Sequence, residues 1–546
     1  MRAARVKTWI PYAEPQVINA TARSQMSRTA RAAKGFGASI IQFCAQTLVQ
    51  VLLAPIVLRV AGRETLGAYA AIMQALGLLN LLDVAGSWSL ERFLAQATGL
   101  DDGGARFRIL LTTARTMYWV IYGVYAVLVL VFSFFIGPIF HLSPAVTGEA
   151  RHALWVIAIW SVVRVPLVAY NNALIATQDI AAANMISAVG SVLRTLASLG
   201  YVLAGGGLFG LMLAGTTAEV VSLFLYRVRF RRIHGDLAPG WGIPDKSLLR
   251  EMISFGSHAA ILNVGNMLAF GTGNSVAGIT NGAAAASSFY TSQMPSMMAS
   301  NLLGRLSESA QPALNELFGR GDFERMRSSF SRLTRLQLLF GLPLGAGVLL
   351  FNRDLVAAWV GPTQYAGALL TAAIGTYCMI GGLQGIAIRL SYVFGWMRLL
   401  AVTSILQGLA NFGLGLYLGR RLGLGGISLA MLIAVLPQIF ILLRKIGNAF
   451  NLNITQLVAS CALKAILPLT GASAAGLLVH RFVQIRVHHF GGFLLEVCPF
   501  IVVYSSVAYF VYLTDQDRDD VKRFLAGAID RGRDVGVQFQ RVLGIR

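Results

Sequence analysis

In this chain of 546 residues, 56% are hydrophobic and only 13% are charged, with a mean hydropathy of +0.64. That excludes an ordinary soluble globular protein, in which about a quarter of residues carry charge, and points to an all-α polytopic membrane protein embedded in a lipid bilayer. A net charge of +21 suggests a nucleic-acid ligand in a soluble protein, but here Lys and Arg first set membrane topology, and no nucleic-acid partner is expected.

Residues 1–35 are polar and carry seven Lys or Arg. The first apolar run, FGASIIQFCAQTLVQVLLAPIVLRV, is too long for a signal-peptide core and has no small-residue cleavage site, so it reads as a transmembrane helix. A span needs about 20 mostly apolar residues. Fourteen segments qualify: 36–60, 66–90, 117–140, 153–175, 181–204, 207–227, 252–278, 285–304, 333–351, 365–388, 396–419, 423–443, 457–479 and 493–513. The second, seventh and eighth are the weakest, being rich in Gly, Ser and Asn, residues common where membrane helices pack closely or line a cavity. All connections are short, which leaves no soluble domain of any size. Cys44, Cys378, Cys461 and Cys498 all fall in apolar stretches, match no metal pattern, and read as small hydrophobes.

With the N-terminus in the cytoplasm, the cytoplasmic segments hold 34 of the 45 Lys and Arg, the opposite side holds eight, and three lie within spans. This positive-inside asymmetry and the even span count put both termini in the cytoplasm. The chain also repeats. RFLAQATGLDDGGARFR follows span two and RLSESAQPALNELFGRGDFERMR follows span eight, each with an Ala-Gln pair, a Gly/Asp turn and a basic stretch. The expected organisation is a basic segment (1–35), a six-helix lobe (36–227), a linker (228–251) and a second six-helix lobe in the same orientation (252–443). Helices 13 and 14 (444–513) and an amphipathic cytoplasmic tail (514–546) follow. Transporters commonly place the substrate site between such repeats.

Polar groups within the spans are the candidate site. Arg164 lies near the middle of span four, with Asn171 on the same face and Asn172 beside it. On span five, Asn184, Ser187, Ser191, Arg194, Ser198 and Tyr201 form one polar stripe, with Arg194 near the midplane. Span one carries Gln42, Gln46 and Gln50 on one face, and span seven carries His258, Asn263, Asn266 and Asn274. A charge at the bilayer centre costs about 2.5–3.5 kcal/mol on insertion scales, and lipid satisfies none of these groups, so they face protein or water. Two readings stay open for the arginines. In one, Arg164 or Arg194 is locked in an ion pair with Asp83 or Glu219. In the other, both line a cationic cavity for an anionic substrate, since guanidinium forks bind phosphate oxygens bidentately. Lys464 in span thirteen lies outside the two-lobe core. His480, His488 and His489 read as interfacial, and no metal site or cofactor is expected.

The stretch from Lys34-Gly35 through Pro55 and the VAGRETLGAYA turn to LLDVAGSWSLERFLAQA (residues 34–97) resembles the opening of bacterial polysaccharide flippases. These are O-antigen and exopolysaccharide translocases of the multidrug/oligosaccharidyl-lipid/polysaccharide exporter superfamily. The resemblance implies two six-helix bundles in a V, alternating access, and residence in the bacterial inner membrane. It implies a polyprenyl-pyrophosphate-linked oligosaccharide as substrate, with a polymerase and a chain-length regulator of the same pathway as partners. Arg164 and Arg194 are not part of that family's pattern and rest on this sequence alone. The lipid II flippases of the same superfamily carry an Arg-Asp pair in span one, where this chain has Gln42, Gln46 and Gln50, which argues against that branch.

Two rivals remain. A multidrug extruder of the same fold binds cations and couples to ions through intramembrane acids, for which Asp83 and Glu219 are available, but midplane arginines argue against a cationic cargo. A membrane polymerase or glycosyltransferase needs a sizeable outer loop, whereas the outer loops here reach only about fourteen residues. No Gly-rich loop followed by Lys and Ser/Thr is present, so ATP hydrolysis is not supported and the chain is read as a non-enzyme.

Overall fold

The computed structural model describes residues 51–98, 102–238, 244–483, 490–513 and 518. Gln42, Gln46, Gln50, Cys44, His488, His489, the basic segment 1–35 and the tail from 519 lie outside the described residues, as does the His258 side chain. The described chain is all-helical: α1 (Val51–Val60), α2 (Gly62–Leu79), α3 (Leu81–Ala97), α4 (Ala105–Phe140), α5 (Pro144–Val163), α6 (Val165–Ala176), α7 (Ile180–Leu203), α8 (Gly207–Ile233), α9 (Lys246–Phe270), α10 (Gly273–Asn281), α11 (Ala283–Gly319), α12 (Phe323–Val360), α13 (Ala368–Val393), α14 (Met397–Phe450), α15 (Ile454–Val483) and α16 (Phe490–Val511). Only helices satisfy every backbone polar group within one segment, as the bilayer interior demands.

Eight of these helices are long and apolar enough by themselves to cross a membrane, and α5 with α6, bent by 64°, makes a ninth. One of the eight, α14, is 54 residues long and holds Gly423 at φ 64°, ψ −149°. A straight helix of that length would run about 80 Å. Instead it doubles back: a Cβ on Gly426 would overlap the Leu418 carbonyl, eight residues away, where a straight helix keeps about 12 Å. The predicted spans eleven and twelve are the two arms of this hairpin, and its turn needs a glycine because φ is positive. Predicted spans two, seven and eight fall on α2–α3, α9–α10 and α11, whose faces are less apolar because they pack on protein.

Three spans are broken. Span two breaks at Asn80, and span seven between Phe270 and Gly273. Span four breaks at Arg164, two residues before Pro166, whose ring lacks an N–H and clashes with the preceding turn. Discontinuous helices of this kind mark substrate and ion sites in transporters.

Contacts sort the connections into two ends. Arg108 reaches the Asp236 carbonyl (2.8 Å), Arg229 pairs with Asp179 (2.8 Å), and Arg389 pairs with Glu308 (2.8 Å). These segments, rich in Lys and Arg, share one end. At the other, Glu64 accepts from the Ser143 backbone N–H (2.6 Å) and Glu149 from that of Leu208 (2.6 Å).

Two large cores hold the helices. The first runs from Ala68 to Phe289 with a few later residues, and the second from Leu314 to Tyr512. Leu248, Met252, Val276 and Phe289 pack into the first core. Helices α15 and α16 dock on α12: Tyr504 donates to the Leu339 carbonyl (2.7 Å), Tyr512 to that of Arg335 (2.9 Å), and Phe500 meets Phe351 edge-on.

Helix α9 crosses α14 on bare backbone. A Cβ on Gly265 would lie 2.6 Å from the Ser404 carbonyl carbon, and one on Gly408 would lie 2.7 Å from the Gly265 oxygen. Small residues permit such approach, and it is a main source of helix association in lipid. Gly265→Val should therefore lower the melting temperature of the purified protein, with about 1–3 kcal/mol lost to overpacking. The same change at Gly123, which has open space around its Cβ position, should leave it nearly unmoved.

Candidate functional site

Inside the first core, α3, α4, the α5–α6 break and α8 converge on a polar cluster. Arg164 caps α5 at the break and forms an ion pair with Glu219 of α8. Its side chain is 12% exposed, that of Glu219 32%. Trp160, one turn earlier, donates its indole N–H to the other Glu219 oxygen (3.1 Å). The guanidinium lies over the Tyr122 ring, 4.4 Å from its centroid, and its Nε has no hydrogen-bond partner. Cation–π contact of this kind grows stronger where water is excluded.

Asp83, three residues after the Asn80 break, completes the cluster. It is within electrostatic reach of Arg164 and Glu219 and interacts with Tyr122, while Ser87 donates to its Oδ1 (3.4 Å). Ser87 also meets the Tyr118 hydroxyl (3.1 Å), to which buried Asn172 donates (3.1 Å). One guanidinium thus faces two carboxylates. It pairs directly with Glu219, and Asp83 is left with hydroxyl partners.

Arg194 does not enter this cluster. It is exposed on α7, within electrostatic reach of Tyr69 of α2, and makes no hydrogen bond or ion pair among the described residues. Asn171 is half-buried on α6, and Asn263 and Asn266 are half-buried on α9, a helix that packs on α3 and α14. Lys464 is exposed on α15.

The two halves of the chain meet at both ends. At the basic end Ser89 of α3 donates to the Met252 carbonyl (2.8 Å) and Arg92 lies 4.3 Å from the Phe255 ring centre. Beside them is a pocket of about 680 Å³ lined by Arg92, Gln96, Arg250 and Phe255 among others. At the opposite end Arg63 donates to Ser288 (3.0 Å) and the Thr363 carbonyl (3.1 Å), next to a pocket of about 550 Å³ lined by Arg59, Arg63 and Trp359. These four arginines were readable in the sequence only as topology charges. Nothing in their spacing marks them as lining pockets, because the residues that complete each pocket come from the other half of the chain.

The family described as polysaccharide biosynthesis protein matches residues 56–366. The chain belongs to this family. No curated protein matches it by sequence. Among solved structures, this polysaccharide biosynthesis protein is similar to the lipid II flippase MurJ in an inward closed conformation (TM-score 0.67, 14% identity, 87% of this chain and 99% of that one). It is similar to an inward-facing multidrug resistance MATE family transporter of the MOP superfamily (TM-score 0.64, 14% identity, 76% and 99%). It is also similar to the MATE multidrug transporter DinF-BH (TM-score 0.57, 18% identity, 80% and 100%). At these identities the likeness is one of fold, and it agrees with an all-helical, multi-pass membrane protein.

Removing one partner of a buried ion pair costs about 3–5 kcal/mol; with Glu219 a third exposed, about 1–3 kcal/mol is expected here. Arg164→Leu should lower the melting temperature accordingly, and Arg164→Leu with Glu219→Leu should recover most of the loss. Additive destabilisation in this double-mutant cycle would show that the pair does not hold the α5–α6 break to α8.

Proposed function

We propose that this protein flips a polyprenyl-pyrophosphate-linked oligosaccharide from the cytoplasmic to the outer leaflet of the bacterial inner membrane by alternating access, as a transporter and not an enzyme. The observation that carries the reading is membership of the polysaccharide biosynthesis family in a chain folded like a lipid II flippase. Arginines at both ends of the interface between the halves, Arg92 and Arg250 at one and Arg59 and Arg63 at the other, support an anionic cargo. Exposed Arg194, free of acidic partners among the described residues, is the midplane phosphate ligand in this reading. Arg164, ion-paired with Glu219, serves in this reading as an interior lock. The basic end, with both termini, faces the cytoplasm.

A second reading, a cation antiporter of the same fold, draws on Asp83 and Glu219, two carboxylates against one guanidinium. Proteoliposomes given a labelled polyprenyl-pyrophosphate oligosaccharide and a cationic dye separate the two. The flippase reading expects the glycolipid to move and the dye to stay. Arg194→Ala should slow glycolipid movement by the loss of a charge-assisted hydrogen bond, about 1.5–3 kcal/mol or roughly 10- to 150-fold, without lowering the melting temperature. Arg194→Lys should restore only part, because the bidentate fork is gone. Dye transport driven by an ion gradient, with the glycolipid static, overturns the reading in favour of the antiporter.

A further inference from the structure

At the end opposite the basic loops, three helices bring together groups that lie far apart in the chain. Asp354 comes from the last turns of α12, His480 from the last turn of α15 and Glu496 from the second turn of α16. One ligand atom from each lies within 4.8 Å of the others. His480 Nδ1 is 3.3 Å from Glu496 Oε1 and 3.5 Å from Asp354 Oδ2. Glu496 is 5% exposed, and its Oε2 is buried with no hydrogen-bond partner. His480 Nδ1 is also buried and makes no hydrogen bond of acceptable geometry to either carboxylate.

We propose that Asp354, His480 and Glu496 bind a divalent transition-metal ion of the zinc type. For metal–ligand bonds of about 2.0–2.2 Å the edges of a coordination tetrahedron are about 3.3–3.6 Å. The two His480 separations match those edges. Hydrogen bonding accounts for the cluster less well: a single Nδ1 proton serves one carboxylate, and the buried Glu496 oxygen remains unsatisfied either way. A dication serves all three groups at once and neutralises two carboxylates. Imidazole with carboxylate suits zinc better than calcium or magnesium, which take oxygen ligands. The neighbouring arginines do not do this work, since Arg353 and Arg481 are exposed and pair with neither carboxylate among the described residues.

The ligands are held in place by packing that owes nothing to a metal. Phe351, one turn before Asp354, meets Phe500, one turn after Glu496, with ring centres 5.6 Å apart. Gly476, one turn before His480, sits so close to Phe351 that a Cβ would lie 2.6 Å from the ring edge. The Asp354 and His480 side chains are 28% and 23% exposed, which leaves a route for an ion from that side of the membrane. A bound ion would fasten the α15–α16 hairpin to α12.

The test uses the untagged full chain in nanodiscs with zinc chloride as the probe. Titration should show one site, and zinc should raise the melting temperature by mass action on the folded state. His480→Ala and Glu496→Gln should each weaken zinc binding by at least the roughly 10- to 100-fold that losing even a ligand-orienting partner costs. His488→Ala with His489→Ala should leave it unchanged. For a readout that needs no variant, cobalt(II) should give the intense visible absorption of a four-coordinate ion. Zinc binding that follows His488 and His489 instead, a weak six-coordinate cobalt spectrum, or no zinc-dependent stabilisation overturns the proposal and leaves the triad as a proton-bridged cluster.

Discussion

A guanidinium buried at a break in a bilayer-spanning helix is costly without a counter-charge, and the architecture of the first core follows from how Arg164 finds one. Pro166 breaks the fourth span next to Arg164, so the side chain leaves from a helix end. Glu219 on α8, Trp160 one turn away and the face of Tyr122 on α4 then enclose the guanidinium. The second break, at Asn80, delivers Asp83 and Ser87 to the same place. Five helices are thereby tied to one point where neither lipid nor bulk water can substitute.

Elsewhere the chain holds together by the means available when lipid removes the hydrophobic contrast between helix faces. Backbones approach at Gly265 and Gly408, and a glycine with positive φ turns α14 back on itself. Buried amides knit the second core, where Gln384 donates to Gln407 and Gln438, and Gln438 donates to Ser404. Where the two halves meet, Ser89 donates to the Met252 carbonyl in a buried contact at one end, while Arg63 reaches Ser288 and the Thr363 carbonyl nearer solvent at the other.

The two midplane arginines, alike in the sequence, end in different environments. Both lie in apolar helices beside Asn and Ser residues. Whether each is locked or available depends on which acid faces it, and Glu219 faces only Arg164. The triad of Asp354, His480 and Glu496 makes the same point from the other direction. An outer-loop histidine with no metal-ligand spacing became a candidate ligand because two acids, 126 and 16 residues away, were packed beside it.

Hydrophobic run length and the distribution of Lys and Arg determined the all-helical membrane fold class, because that depends on the bilayer and not on which helix neighbours which. The 34–97 segment carried the family. Tertiary structure alone decided the pairing of Arg164 with Glu219, the sharing of α9–α11 with the first core, and the docking of α15 and α16 on α12. Each of those requires knowing which faces meet across long stretches of chain. Helical periodicity says that a polar stripe faces inward, but it does not name the charge that waits on the opposing helix.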